Sequence, residues 1–500
     1  MSGEPGSLRD DGSKIPLPTR LAYGFGAISN GIKNAAFSTY LLLYYNQVVG
    51  VSAAVVSTAI ALTLLVDAVV DPFIGRWSDM TRSRIGRRHP FIFGSALPTA
   101  FFFILAWFPP SGLSELQMGL WIFATAALTR ASISAFEIPT SAMNPELTSD
   151  YAERTRLFSL RYFFGYAGTF GFTAFSLAFF FVATPENPVG QLNPDGYVRF
   201  AFAGGALIFL AILVCGFGTL KRVSHMRQAI AEDSPVGLRA HLREMGDAFR
   251  HPGFLAIFGF GVFKYTAIGL YSATTIYFGT YVFKLSSGQL ALLTFDSLVA
   301  AAIAAPLAPK FSRWIGKRNT SALMAVFGVM LGLTPLALTY LRVFFAPGDP
   351  MLVPTLFVIG AVYGAMVAIS LINTSSMLAD VVEDHAVKTG KHTAGVFFAA
   401  SSFMQQCSTA LGILMAGLVL NWSAFPEKVD PAAVTRAMEQ SLLIHYIPTV
   451  MTLWIVGALF LLLYPIDERK HRANVERLQA LEAEAREQVV RDGAFGAPAR

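Results

Sequence analysis

The sequence predicts an all-α polytopic membrane protein with twelve transmembrane helices in two six-helix halves. Three observations carry this expectation. Of 500 residues, 54% are hydrophobic and only 14% are Asp, Glu, Lys or Arg, against roughly 25% charged in a soluble domain. A chain this apolar lacks the polar groups to cover its own surface in water. The apolar residues also fall into a dozen runs, each near the length of about 20 residues that crosses a bilayer as a helix. Finally, Lys and Arg collect in alternate loops, as they do on the cytoplasmic side of membrane proteins.

The runs lie at 17–47, 53–78, 90–109, 117–143, 157–184, 198–220, 254–283, 289–311, 319–343, 351–379, 392–421 and 441–465. Several exceed a perpendicular crossing and require tilt or projection into water. One set of loops holds Arg20, then Arg76 to Arg88, Arg154 and Arg156, Lys221 to Arg250, and Lys310 to Arg318. The other set has scattered single cations such as Arg199, Lys284 and Arg342. Both termini are therefore expected in the cytoplasm, with the chain integral to an inner (cytoplasmic) membrane. Residues 1–20 lack the apolar core of a cleaved signal peptide. Cys215 and Cys407 sit inside apolar runs and read as packing residues, not as a disulfide or metal framework.

The domain plan is a cytoplasmic segment 1–16, a six-helix bundle 17–221, a polar cytoplasmic loop 222–253, a second bundle 254–465 and a charged cytoplasmic tail 466–500. The halves repeat weakly. Ser83-Arg84-Ile85-Gly86-Arg87-Arg88 follows the second helix, and Ser312-Arg313-Trp314-Ile315-Gly316-Lys317-Arg318 follows the eighth. Two such halves imply the major facilitator architecture, with a central cavity at the midplane.

Ionisable residues within a span are costly and mark functional candidates. Asp67 and Asp71 in the second helix are four apart, hence on one face. They can hold one cation between them, or share a proton when none is bound. Arg130, Ser134 and Glu137 share a face of the fourth helix. Lys33 in the first helix and Arg161 in the fifth complete the set. These cations can neutralise the carboxylates, or bind an anionic or hydroxyl-rich substrate. In the second half, Lys264 and Asp296 are expected to pair between helices. Asn373, Gln405 and Gln406 add amides that can bond between helices or touch substrate. Tyr265, Tyr271 and Tyr363 are amphipathic candidates for a cavity wall. Asp79, Arg82, Arg84 and Arg87, with Asp380, Glu383 and Asp384 in the matching slot of the second half, are expected to latch one conformation at the cytoplasmic helix ends.

At these residues the sequence resembles the glycoside–pentoside–hexuronide:cation symporter family of the major facilitator superfamily. Tyr23-Gly24-Phe25-Gly26 resembles the family's start. Asp67-Ala68-x-x-Asp71-Pro72 followed by Ser78-Asp79-x-Thr81-Arg82-Ser83-Arg84-x-Gly86-Arg87 is the strongest match, and Glu137-Ile138-Pro139, Leu147-Thr148-Ser149-Asp150, Glu153-Arg154 and Leu378-Ala379-Asp380 agree as well. The resemblance implies a symporter coupled to H⁺ or Na⁺ and working by alternating access. It implies a cation site at Asp67, Asp71 and Ser134, with Glu137 nearby, and sugar contacts at Glu137 and Arg161. It departs from the best-known member of the family at Gly31 (an Asp there), Val70 (an Asn), Ser141 (a Trp) and Gln406 (a Lys). Those losses, with the added Lys33 and Arg130, make a sugar acid or other anionic substrate an alternative to a neutral glycoside. Lys33, Arg130, Glu137, Arg161, Lys264, Asn373 and Gln406 are the expected substrate-binding set.

No H-E-x-x-H, credible G-x-S-x-G or phosphate-binding P-loop is present, so neither an enzyme nor an ATP-driven pump is expected. The expected partners are a small-molecule substrate and membrane lipid, without nucleic acid, and the expected state is a monomer needing no cofactor beyond its coupling ion. The alternative function is a carrier of lysolipid or another amphiphile.

Overall fold

The computed structural model describes residues 15–148, 151–222, 249–389, 394–478 and 480. Among these, twelve helical rods follow one another, and no strand occurs. Counting a rod once where a π turn or kink interrupts it, α1 comprises Leu17–Phe25, Ala27–Ala35, a π turn at Ala36–Tyr40, Leu41–Leu43 and a second π turn at Tyr44–Val49. Then come α2 (Ala53–Met80), α3 (His89–Leu105), α4 (Glu115–Leu147), α5 (Tyr151–Tyr166, Ala167–Gly171 and Phe172–Phe179) and α6 (Pro194–Leu220). The second half has α7 (Pro252–Tyr277 and Phe278–Val282), α8 (Ser287–Thr294 and Asp296–Ile315), α9 (Lys317–Tyr340), α10 (Leu352–Thr389), α11 (Ala394–Trp422) and α12 (Arg436–Leu461).

Each rod falls on its predicted run. The main differences are at polar ends, where α4, α5, α10 and α12 run several residues beyond the apolar stretch. A helix leaving the bilayer keeps its backbone bonds, but its sequence turns polar, so hydropathy stops short of it. Eight rods are long and apolar enough to cross a membrane by composition alone. The other four are α1, α2, α3 and α5; α1, α2 and α5 carry Lys33, Asp67, Asp71 and Arg161. Large apolar side chains such as Leu97, Phe101, Leu120, Phe163, Phe202 and Phe217 stand exposed on the rods, where the acyl chains of a bilayer would cover them. Segments 1–14, 223–248 and 481–500, which include most of the expected central loop and tail, lie outside the described residues.

The two halves meet at the end where α1 and α7 finish, called here the closed end. Tyr277 donates to Asn46 Oδ1 at 2.9 Å and Tyr281 to Gln47 Oε1 at 2.9 Å. Gln47 donates to the Pro426 carbonyl at 3.0 Å, and Gln191 to Thr280 Oγ1 at 2.9 Å. Ser287 donates back to Gln191 at 2.8 Å. Beneath these lie packed rings, including Trp107 against Tyr197 at 5.7 Å between centroids. α2 and α11 touch across the halves because Gly417 has no side chain: a Cβ there would lie 1.9 Å from Ser57 Oγ.

At the opposite end the ion pairs close within one half. Arg87 and Arg88, in the α2–α3 loop, meet Glu146 at the end of α4. Lys317, in the α8–α9 junction, meets Asp380 in the last turns of α10 at 2.7 Å. Gly86 and Gly316 precede these cations with φ of +84° and +82°. The weak sequence repeat is thus a repeated structural device: a left-handed glycine, then a cation that pins the loop to the end of the helix two places on. With ψ of 155°, Gly316 occupies a region essentially reserved for glycine. Gly316→Ala is expected to cost about 1–3 kcal/mol, read as a lower melting temperature of the purified protein. An unchanged melting temperature would contradict this.

Candidate functional site

The spacing of four in α2 places Asp67 and Asp71 on the face that meets α4. Arg130 on α4 donates through Nε to Asp67 Oδ2 at 2.8 Å, and its Nη2 lies 2.6 Å from the same oxygen. Ser134, one turn further, neighbours Asp71. Lys33 on α1 is buried within the field of Arg130, Asp67, Glu137 and Asp71. Glu137, still on the same α4 face, pairs with Arg161 of α5. Arg161 also donates to Ser141 Oγ at 3.3 Å and stands 5.3 Å from the centre of the Tyr23 ring. Three cations and three carboxylates thus converge from α1, α2, α4 and α5, as the helical spacing predicts.

This cluster is not self-satisfied. Among the described residues, Asp67 Oδ1, Asp71 Oδ1, Glu137 Oε2 and Arg161 Nη1 are buried without a hydrogen-bond partner. Both side-chain polar atoms of Asn144, two turns beyond Glu137 on α4, are also orphaned. Folded proteins leave few such atoms, and each calls for an explanation. The arrangement can accept hydroxyl protons at Glu137, donate at Arg161 and take a cation or proton at Asp71. Asn144 was missed in the sequence; its i+7 spacing from Glu137 was the available signal.

The departures at Gly31 and Ser141 have structural reasons. A Cβ on Gly31 would lie 2.3 Å from the Gly165 carbonyl oxygen. α1 and α5 therefore touch backbone to backbone, and Thr169 donates to the Gly31 carbonyl at 3.2 Å. An aspartate cannot occupy that position without parting the helices. Ser141 stands where an indole would and is a partner of Arg161 instead.

The expected Lys264–Asp296 pair does not form. Along the rods, at 1.5 Å per residue, Lys264 lies roughly 27 Å from the closed end and Asp296 roughly 14 Å. Residue type and span assignment gave no depth. Asn373 is buried and donates to Ile369 in its own helix at 2.9 Å. Gln405 and Gln406 are exposed on α11, beside Cys407, which lies within the field of Asp67.

A cavity of about 370 Å³ opens between the halves, nearer the closed end. Its walls are largely apolar, with Phe170 and Leu177 of α5 facing Leu290 and Leu293 of α8 and Leu336 of α9. Polar groups enter from Asn34, Thr169, Tyr271, Asp296, Tyr363 and Tyr446. Asp296 accepts from Ser297 at 2.9 Å. Tyr271 and Tyr363 stand in this wall as expected of cavity tyrosines; Asn34, Thr169 and Tyr446 went unnoticed because nothing in their local sequence separates them from packing residues.

Of the expected latch, Asp79 pairs with Arg88 at 2.6 Å and Arg87 with Glu146, whereas Arg82 and Arg84 are exposed. Asp384 receives His251 at 2.8 Å, Lys388 at 2.6 Å and Asn474 at 3.0 Å. Glu383 lies 3.2 Å from His471. Burial pushes His251 below its ordinary histidine pKa.

Twelve rods in two halves, sealed together at one end and holding an under-satisfied polar cluster within the first half, define a transporter of the major facilitator fold. Comparison with known proteins agrees. The sequence model of the MFS/sugar transport protein family matches residues 22–468. The chain belongs to this family. It is 25% identical to the isoprimeverose transporter of Lactiplantibacillus pentosus, over 94% of this chain and 93% of that one. It is 26% identical to the sphingosine-1-phosphate transporter MFSD2B of Mus musculus, over 92% of each chain. Against the glucuronide carrier protein homolog of Escherichia coli (strain K12) it is 24% identical, over 91% of this chain and 93% of that one. Among solved structures, a bacterial homologue of the lysosomal transporter Spinster in an inward-facing, unoccupied conformation aligns with a TM-score of 0.62 at 13% identity, over 92% of this chain and 97% of that one. The inward-open xylose transporter XylE of E. coli aligns at 0.59 and 13% identity, over 92% and 98%.

The Asp67–Arg130 pair is open to a direct test. Arg130→Gln strands a buried carboxylate and is expected to cost about 3–5 kcal/mol, with Asp67→Asn in the same chain restoring most of the loss. Melting temperatures of the single and double variants check this; equal values would count against it.

Proposed function

We propose that the protein is a cation-coupled symporter of a sugar, glycoside or sugar acid, working by alternating access. In this reading it sits in the inner membrane as a monomer with both termini in the cytoplasm. The halves are 17–221 and 254–465, joined by the polar segment 222–253, and the state described faces the cytoplasm. The observation that carries the reading is the set of orphaned atoms on α2, α4 and α5. Glu137 Oε2 and Arg161 Nη1 offer an acceptor and a donor side by side, which suits the vicinal hydroxyls of a sugar ring. Asp71, without a cation of its own, is the coupling group. Arg130 and Lys33 already bring the positive charge that a sodium ion would supply to Asp67, which favours a proton as the coupling ion.

Protonation of Asp71 removes its repulsion of Asp67 and organises Glu137 and Arg161 for substrate. The halves then rock about the cluster, breaking the Gln47, Tyr277 and Tyr281 bonds at the closed end. The ion pairs at the opposite end are free to re-form between the halves when that side closes.

A second reading, transport of an amphiphile, is favoured by the apolar wall of the 370 Å³ cavity and by the likeness to the sphingosine-1-phosphate transporter. The test is uptake into proteoliposomes under an inward proton gradient. Asp71→Asn is expected to abolish accumulation and its pH dependence, a loss of roughly tenfold or more, while leaving equilibrium exchange. If accumulation and ion dependence survived in Asp71→Asn, the coupling assignment would fall. Uptake of lysolipids alone, without ion dependence, would establish the second reading.

A further inference from the structure

Lys264 is 1% exposed on α7, and among the described residues it has no carboxylate partner. Its ammonium stands 4.8 Å from the Phe260 ring centre and 4.6 Å from that of Tyr265. It lines a recess of about 30 Å³ between α7, α10 and α11, with Thr374, Ser375 and Ser401 supplying hydroxyls. That volume holds a water or a small polar group, not a sugar ring. A buried lysine is normally paired, and here only aromatic faces and hydroxyls meet it. The other embedded cations do not share its position: Arg130 and Arg161 pair with Asp67 and Glu137, and Lys33 lies in the field of Asp67, Glu137 and Asp71.

One residue of the recess approaches the other half. Tyr265 lies within the field of Tyr166 on α5, five residues beyond Arg161. Measured along the rods from the open end, Lys264 is roughly 18 Å deep, and Glu137 and Arg161 roughly 15 Å. An uncompensated cation thus stands at roughly the depth of the Glu137–Arg161 pair, in the other half.

Building on the symporter reading, we infer that the Lys264 recess receives an anionic substituent of the transported molecule, a carboxylate or phosphate, while the hydroxyl-bearing part lies on Glu137 and Arg161. The substrate class is then an anionic glycoside or sugar acid. Lys264 sets specificity: the ammonium supplies the charge and Ser401 a hydroxyl donor, while Thr374 and Ser375 donate to the Ser370 and Leu371 carbonyls of their own helix. A substrate touching both halves also ties binding to their closure.

The experiment is ligand-induced thermal stabilisation and binding by the purified full-length protein. The probes are methyl β-glucuronide, glucose 6-phosphate and methyl β-glucoside. At least one anionic probe is expected to bind roughly tenfold tighter than the neutral glucoside. Lys264→Gln removes that preference while changing the glucoside little, and Lys264→Arg retains it. The glucuronide and phosphate arms separate a carboxylate from a phosphate ligand. Equal or tighter binding of the neutral glucoside, or an equal loss for all probes in Lys264→Gln, would overturn this inference and leave the symporter reading standing. Wild-type protein that binds none of the three would overturn both.

Discussion

A charge in the interior of a membrane protein must be met by another charge or by hydrogen bonds, because lipid supplies neither. The first half of this protein is organised around that constraint. Asp67 takes Arg130, Glu137 takes Arg161, and Lys33 lies among them. These contacts fix the rotation of α2, α4 and α5 about their axes, since each carboxylate can reach its cation in one register only. What is left over after pairing, on Asp67, Asp71, Glu137 and Arg161, is what the site has to offer a ligand.

The same constraint explains the difference between the two ends. Polar groups that seal the closed end are neutral amides, phenols and hydroxyls, whose bonds can be exchanged for water at modest net cost. Charges at the opposite end are held within each half by loops that carry the repeated glycine and cation. On the proposed mechanism, rocking the halves would therefore break neutral bonds at one end and leave the buried ion pairs of the first half intact. The π turns that end α1 and α7 carry Asn46, Gln47, Thr280 and Tyr281, whose side chains bond across the halves.

Much of this was legible in the sequence. Hydropathy found all twelve rods, and helical spacing placed Arg130, Ser134 and Glu137 on one face that meets α2 and α5. The repeat after α2 and α8 was visible as residues, and its meaning became clear only with the matching φ of Gly86 and Gly316. Depth was not legible. Lys264 and Asp296 were natural partners by charge and by neighbouring helices, yet they lie at different levels of the bilayer. The partly apolar cavity beside Asp296 was equally hidden, because Asn34, Thr169 and Tyr446 become neighbours only when α1, α5 and α12 pack together. Gly31, where the resemblance implies the loss of a sugar ligand, is also the point at which α1 and α5 come into backbone contact.

On the proposed function, a proton moves with substrate through the Asp71 site. The most direct test of this is proton flux itself. A gradient of transported sugar or sugar acid is imposed across proteoliposomes containing the protein, without sodium, and the internal pH is followed with an entrapped dye. Acidification is expected on the side that substrate enters, and is absent in Asp71→Asn. Substrate entry with no pH change, or entry that requires sodium, would contradict it.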